Sequence, residues 1–415
     1  MLEKLESFMD VNGLNCLNQF GFTKGYSTQH ALTLLGSTIA RSIEDKQPVI
    51  GASLDLEKCY DSVCPLLLTK KMEDVGFPHH WTRVFFNFLR QRSFAVKIGN
   101  VISKIRTART GLPQGSVAAP GLFKFFSHDL PQPDRNRGLS SISFADDHIV
   151  LAEGPPLEAA ETLSSFLDDI HNFYESNGNR INKEKSNTIV FTGVLNRLTR
   201  PARNEIKEVV VRMDGELLPR VDSIKYLGVT LNTKLSHVQH IQLAISKAAG
   251  ITGMMKGVLA KRGLLSERVK TTFYKTAIRP ILTYGFGIWS TASSHQLESM
   301  RMFERRIIRW TRSDSGRNQH TRRFINSSIL YRDSKIERLD RWTTKAYLKS
   351  MAKMEESFNQ LITSLFTQDA IDRVLRPGSR YKPPEYLYHF NTESPLFDEE
   401  DRLTFFNQRL SEEYP

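Results

Sequence analysis

The stretch Ser141-Ile142-Ser143-Phe144-Ala145-Asp146-Asp147-His148-Ile149-Val150-Leu151-Ala152 sets two adjacent carboxylates between two short apolar arms. Apolar runs of this length around a compact polar centre predict a β-hairpin with Asp146 and Asp147 at its tip. Neighbouring carboxylates repel, so a fold that presents them together neutralises them with a cation or a base. Hard divalent cations such as Mg²⁺ prefer oxygen ligands of this kind. An Asp-Asp pair in a solvated turn would carry the same local pattern, so the rest of the chain has to decide.

At 415 residues the chain exceeds one small core, and two to three domains or subdomains are expected. A hydrophobic content of 40% with 25% charged residues argues against wholesale disorder. The three cysteines, Cys16, Cys59 and Cys64, show no CxxC pair and no Cys/His finger spacing. A disulfide scaffold and a structural zinc site are thereby disfavoured, and an intracellular protein is expected. The sequence has no apolar run of membrane-spanning length, and its charged N-terminus is unlike a secretory signal. The net charge of +12 is uneven: residues 197–350 hold 30 Lys and Arg against 12 Asp and Glu. That layout fits polyanion contact beside an acid-bearing segment, although ordinary solvated helix faces produce similar asymmetry.

Residues 1–45 read as helical except for a break over Asn18–Ser27, with two glycines, aromatics and Lys24. This loop could present Lys24 and backbone N–H groups to a phosphate, or simply punctuate two helices. Val49–Leu56 reads as a buried strand whose Asp55 is out of place in a core, because burying a lone carboxylate is costly. Tyr60 and Asp61 follow on the way into a helix. Strands are expected over 94–98 and 104–109, then a Gly/Pro/Gln turn at Thr110–Pro120 with Ser116 as a helix cap. A long amphipathic helix over 157–177 follows the acid hairpin. Asn182 and Lys185 precede a strand at 187–191, an Asp214-Gly215 turn marks a hairpin, and Ile224–Leu231 reads as one strand interrupted by a glycine. From Ser236 the pattern turns helical, and Arg301, Arg305, Arg306 and Arg309 recur at helical spacing.

Taken together, these segments resemble the reverse transcriptases of non-LTR (LINE-like, Jockey-type) retrotransposons. Gly21–Leu32 (GFTKGYSTQHAL) is similar to the family's fingers motif, and Ser53–Val63 (SLDLEKCYDSV) to the first catalytic motif of its palm. Gly111–Pro120 (GLPQGSVAAP) resembles the template–substrate motif, and Phe144–Asp147 (FADD) the second catalytic motif. Asn182–Ser186 (NKEKS) and Tyr226–Leu231 (YLGVTL) resemble two further motifs, the latter the primer grip. One such motif is weak, whereas six in the family's order are specific. The likeness covers roughly residues 5 to 315.

The resemblance implies an α+β right-hand polymerase: an antiparallel-sheet palm, partial helical fingers, a helical thumb and further C-terminal helices. It divides the chain into partial fingers (1–48), a palm with inserted fingers segments (49–232), a thumb (233–280), a basic helical region (281–350) and an acidic, proline-containing tail (351–415). It implies an RNA-directed DNA polymerase that extends a primer 3′-hydroxyl with dNTPs by two-metal nucleotidyl transfer on an RNA template and DNA primer. Asp55, Asp146 and Asp147 would hold two Mg²⁺ ions, with Mn²⁺ as an alternative, and Lys185 would act near the triphosphate. Lys24, Tyr60, Gln114 and Gly115 would contact substrate, Tyr60 as the steric gate against a 2′-hydroxyl. Tyr226, Leu227 and Gly228 would grip the primer, and Arg301, Arg305, Arg306 and Arg309 the nucleic-acid backbone. The site of action would be the nucleus or a cytoplasmic ribonucleoprotein.

Departures from the pattern also carry expectations. Thr23 stands where the family commonly has arginine, and Cys59 replaces a usual alanine at a position expected to lie away from the metals. By the resemblance an upstream fingers segment would be expected before residue 1, so the sequence reads as an N-terminally truncated copy or a partial gene model. The alternative to an active polymerase is therefore a folded but catalytically inactive nucleic-acid-binding remnant. A two-metal nuclease on another fold would account for the acids but not for GLPQGS or YLGVTL.

Overall fold

In a computed structural model, residues 1–90, 92–193, 198–259, 265–289, 292, 294–312, 323–367 and 369–371 are described. Most of the acidic, proline-containing tail lies outside them. The chain forms two compact units, one of Met1–Ala31 with Asp45–Leu227, the other of Leu32–Glu44 with Gly228–Pro415. Among the described residues no helix is long and apolar enough to cross a membrane.

The first unit is built on a four-stranded antiparallel sheet. In chain order its strands are β1 (Val49–Leu54), β2 (Leu139–Phe144), β3 (Asp147–Glu153) and β4 (Asn187–Phe191). In space the order is β4-β1-β3-β2. Residues 49 to 52 of β1 and 148 to 152 of β3 are buried without a break, which is why these strands read as apolar runs and not as alternations. On one face, Ile50, Ala52, Leu54, Val150, Ala152 and Val190 join a core shared with the helices Pro65–Asp74, His79–Leu89, Ala118–Phe126 and Pro156–Ser176. The last of these turns Leu163, Phe166, Leu167 and Ile170 inward, the three-and-four spacing of an amphipathic helix. Ser116 caps the Ala118–Phe126 helix as expected, its Oγ accepting from the Ala119 N–H at 3.1 Å.

Three sequence expectations change in detail. The strands expected at 94–98 and 104–109 are an interrupted arm: Arg92–Phe94 pairs with Arg106–Ala108, and Lys97–Ile98 with Val101–Ile102. Ile224–Leu231 is two short strands, Ser223–Tyr226 and Val229–Asn232, separated by Leu227 at φ 45 and Gly228 at φ 79. Two successive positive-φ residues make a hairpin turn, which a single strand cannot accommodate. Within the region read as helical from Ser236, the helix Glu267–Phe273 gives way to a π turn, Tyr274–Ile278. The Asp214-Gly215 hairpin forms as read, Arg212–Met213 against Glu216–Leu217.

The described part of the second unit is mainly helical, with Val238–Leu259, Glu267–Phe273, Ser294–Thr311, Ser327–Ser334 and Leu339–Glu355 as its principal helices. Glu304, wholly buried on the arginine-rich helix, gathers four of its segments. It accepts hydrogen bonds from the Tyr274 hydroxyl, from the Tyr331 hydroxyl at 2.7 Å and from the Leu339 N–H at 3.0 Å, and faces Arg279 at 3.7 Å.

Candidate active site

The register of the sheet brings the distant acids together. β1 and β3 pair from Val49 opposite Glu153 to Leu54 opposite His148. Asp55, one residue past that ladder, therefore emerges beside Asp147. On the other side β2 and β3 close at Phe144 opposite Asp147, leaving Ala145 and Asp146 as a two-residue turn. Partial loss of hydration, then the charges of Asp146 and Asp55, hold the Asp147 carboxyl above the usual carboxylate range, with Lys225 pulling the other way. Strand alternation turns His148 inward, where burial pushes its imidazole down to about 4 and its Nε2 lies 3.0 Å from the Ser141 hydroxyl. His148 is thus a neutral core residue beside the acids.

Two loops are pinned to this strand end. The Asp55 N–H donates to the Ser186 hydroxyl at 3.1 Å, and the Asn182 N–H donates to the Asp55 carbonyl at 2.7 Å. Ser186 in turn donates to the Asn182 carbonyl at 2.8 Å, and Asn182 Oδ1 accepts from the Lys185 N–H at 3.1 Å. Within the Asn182–Ser186 motif, then, Asn182 and Ser186 fasten the turn to Asp55, and Lys185 stands exposed on it.

The second loop is the Gly/Gln turn. Gly111, at φ 90, lies so close to the Cys59–Ser62 helix that a Cβ would come within 2.9 Å of the Asp61 backbone. Its N–H donates to the Val63 carbonyl at 2.7 Å, and the Leu112 N–H to the Tyr60 carbonyl at 2.7 Å. Gln114 Nε2 then donates to Asp61 Oδ1 at 3.1 Å. The result is a cavity of about 530 Å³ lined by Phe22, Lys58, Cys59, Tyr60, Gln114, Gly115, Pro120 and Asp146, among others. That is within the size range of small-molecule sites. Tyr60 forms one wall, stacked on Phe123 with ring centres 4.9 Å apart and met edge-on by Phe22 at 6.4 Å.

Cys59 is closer to the chemistry than its sequence position promised. It lines the same cavity as Asp146 and feels that carboxylate's charge. Burial first, and the Asp146 charge second, push the thiol up to about 12, so it stays protonated. The position was expected to lie away from the metals, yet it shares a cavity with Asp146, one of the carboxylates expected to hold them; a one-residue motif difference does not disclose what lies across the fold.

The remaining expected residues are dispersed. Lys24 is exposed in its loop and is not part of the cavity lining. Tyr226 is buried, and its hydroxyl donates to the Ile142 carbonyl at 3.1 Å, bracing β2 from behind. Leu227 and Gly228 form the turn already described. On the basic helix, Arg301 pairs with Glu298 at 2.8 Å and Asp340 at 3.2 Å, and Arg305 also pairs with Glu298. Arg309 lies 4.7 Å over the Phe324 ring, while Arg306 is exposed.

Among the described residues, no group of three or more His, Cys, Asp or Glu side chains is drawn together as a finished metal cage. The donor set at the strand ends nonetheless fits a hard divalent cation: it is all carboxylate oxygen, and Asp147 registers the charge of both Asp55 and Asp146.

Comparison with known proteins accords with the motif reading. The chain is 27% identical over 395 residues to the RNA-directed DNA polymerase from mobile element jockey of Drosophila melanogaster, covering 92% of this chain and 41% of that protein. It is also 27% identical over 365 residues to the probable RNA-directed DNA polymerase from transposon X-element of the same organism, covering 87% and 38%. The chain thus spans about two fifths of the length of these relatives. Among solved structures, telomerase from Candida Tropicalis is similar over 99% of this chain and 56% of that one, at 11% identity and a TM-score of 0.42. The family model described as reverse transcriptase (RNA-dependent DNA polymerase) matches residues 1–231, and the resemblance read from the motifs is borne out. With more than half of its length matched, the chain belongs to the reverse transcriptase family.

Proposed function

We propose that this chain is the polymerase portion of a non-LTR retrotransposon reverse transcriptase, adding dNTPs to a DNA primer 3′-hydroxyl on an RNA template. What carries the reading is one juxtaposition: Asp55 beside Asp147 in the sheet register, next to a cavity that Tyr60, Gln114, Gly115 and Asp146 line together. Asp55, Asp146 and Asp147 would hold the cations. Bound divalent ions would supply charge neutralisation at the attacking and departing oxygens.

The chain's own groups do the rest. Tyr60, stacked on Phe123, walls the cavity as the steric gate against a ribose 2′-hydroxyl. Gln114, oriented by Asp61, and Gly115, whose lack of a side chain leaves backbone open to approach, face the nascent base pair. Lys185 reaches the triphosphate from its exposed turn, and Lys24 meets phosphate at the loop. Leu227 and Gly228 position the primer end, with Tyr226 supporting them from the core. Arg306 and its neighbours Arg301, Arg305 and Arg309 line the backbone path. In this scheme the antiparallel sheet is the palm, residues 1–48 belong to the fingers and the helices after residue 233 to the thumb and beyond.

Primer extension on an RNA template with Mg²⁺ tests the reading, comparing wild type with Asp146→Asn. Extension by wild type and its loss in the variant is expected. Equal extension by both would sink the metal assignment. Salt-sensitive RNA binding without incorporation under Mg²⁺ or Mn²⁺ would mark the chain as a non-catalytic remnant.

A further inference from the structure

The turn that carries the acid pair is built on a backbone conformation that its sequence disfavours. Ala145, the first residue of the two-residue turn between Phe144 and Asp147, sits at φ 59. A residue with a Cβ resists that region, and such strain persists only where the surroundings impose it. Here they do. Gln19 is buried, and its side-chain amide grips the Ala145 residue at both backbone polar groups. Gln19 Oε1 accepts from the Ala145 N–H at 2.8 Å, and Gln19 Nε2 donates to the Ala145 carbonyl at 3.2 Å. The same Oε1 accepts from the Gly21 N–H at 2.8 Å.

The segment around Gln19 is itself anchored to β2. The Ser143 N–H donates to the Asn18 carbonyl and the Phe20 N–H to the Ser143 carbonyl, each at 2.8 Å, forming a parallel bridge of Gln19 with Ser143. Gly21 then lies directly against the turn: a Cβ there would fall 2.2 Å from the Ala145 nitrogen and 2.9 Å from the Phe144 carbonyl carbon. The Thr23 hydroxyl closes the loop by donating to the Gln19 carbonyl at 3.1 Å.

We propose that Gln19 is a positioning residue for the acid pair, holding Ala145 in its strained conformation so that Asp146 and Asp147 leave the hairpin tip aimed for divalent-cation binding. The proposal rests on the polymerase reading above. Released from Gln19, Ala145 relaxes toward negative φ, and the peptide that follows it rotates, re-aiming Asp146. The side chain must be glutamine: asparagine is one methylene short, glutamate cannot donate to the Ala145 carbonyl, and methionine fills the space without hydrogen bonds.

The experiment uses the full chain and the variants Gln19→Met, Gln19→Glu and Asp146→Asn. Three quantities are measured: Mn²⁺ affinity by calorimetry without nucleic acid, the Mg²⁺ concentration giving half-maximal primer extension, and affinity for an RNA–DNA primer-template. Losing the two hydrogen bonds that hold Ala145 in its strained turn should weaken Mn²⁺ binding in Gln19→Met by about tenfold and raise the Mg²⁺ requirement to match. Primer-template affinity should stay within about twofold of wild type, because the acids and not the nucleic-acid path have moved. Gln19→Glu keeps both acceptor bonds and decides the matter if the methionine variant does not fold; it should shift Mn²⁺ affinity in the same direction. Unchanged Mn²⁺ affinity in the folded Gln19 variants, with Asp146→Asn deficient, overturns the clamp alone. An equal loss of metal and primer-template affinity also overturns it, by reducing Gln19 to a structural residue. If Asp146→Asn binds Mn²⁺ and extends primers like wild type, the metal assignment within the polymerase reading falls first and takes the clamp with it.

Discussion

Replacing Glu304 by leucine should cost the helical unit about 3–5 kcal/mol, the range for removing one member of a buried ion pair. Leucine fills much of the space but leaves Arg279, itself 4% exposed, without its countercharge. Arg279 would retain the Glu337 carbonyl at 2.8 Å, the Tyr274 hydroxyl at 3.2 Å and its stacking over the Trp342 ring at 5.2 Å, none of which is a countercharge. The Tyr331 hydroxyl and the Leu339 N–H would lose their acceptor as well, at about 1–3 kcal/mol for each buried orphan, not additively. Against a domain stability of roughly 5–15 kcal/mol this is a large fraction. Urea denaturation followed by tryptophan fluorescence reads the effect selectively, because Trp289, Trp310 and Trp342 lie in this unit and only Trp81 in the other. Combining Glu304→Leu with Arg279→Met should recover most of the loss, since removing both charges avoids the unpaired one.

A pH series adds a signed check. Burial holds the Glu304 carboxyl above its usual range, against the opposing pull of Tyr274, Tyr331, the Leu339 amide and Arg279. The folded chain therefore keeps that proton to higher pH than the unfolded chain does. Stability from this protonation is full below the unfolded value and lost as pH rises through the folded one. The wild-type advantage over Glu304→Leu should accordingly widen as pH falls from neutral into the carboxylate range. A loss below about 1 kcal/mol, or a double variant no better than the single, would refute the view that Glu304 is the unit's electrostatic anchor.

Gly111→Ala should cost about 1–3 kcal/mol, from the positive φ and from the collision with the Asp61 backbone. By loosening Gln114 it should raise KM for dNTPs more than it weakens primer-template binding; a variant with wild-type melting temperature and KM would contradict the close-approach account. Asp55→Asn should abolish primer extension yet raise thermal stability in EDTA. Relief of one exposed like-charge contact is worth about 0.5–1 kcal/mol at low salt. A lower melting temperature in that variant would argue that Asp55 and Asp147 do not repel across the strand end.

Local pattern alone determined a good deal. Adjacent apolar arms predicted the Asp146–Asp147 hairpin, and the odd placement of Asp55 on an apolar strand singled it out, because both signals are carried by consecutive residues. The order of motifs pointed to the family, since six short patterns in sequence constrain one another. What the sequence could not carry were contacts made by unremarkable residues across long separations. Glu304 is one acid among many arginines until the fold buries it between two tyrosines. Cys59 is a small motif difference until the Cys59–Ser62 helix turns its thiol toward Asp146. Gln19 lies in a loop that reads equally well as punctuation or phosphate contact, and only the parallel bridge to Ser143 brings its amide onto Ala145. The acids themselves stood out in the sequence because carboxylates set among apolar strand residues are chemically out of place. Their geometry was not, because strand register, a strained turn and the amide that imposes it exist only once the chain has closed on itself.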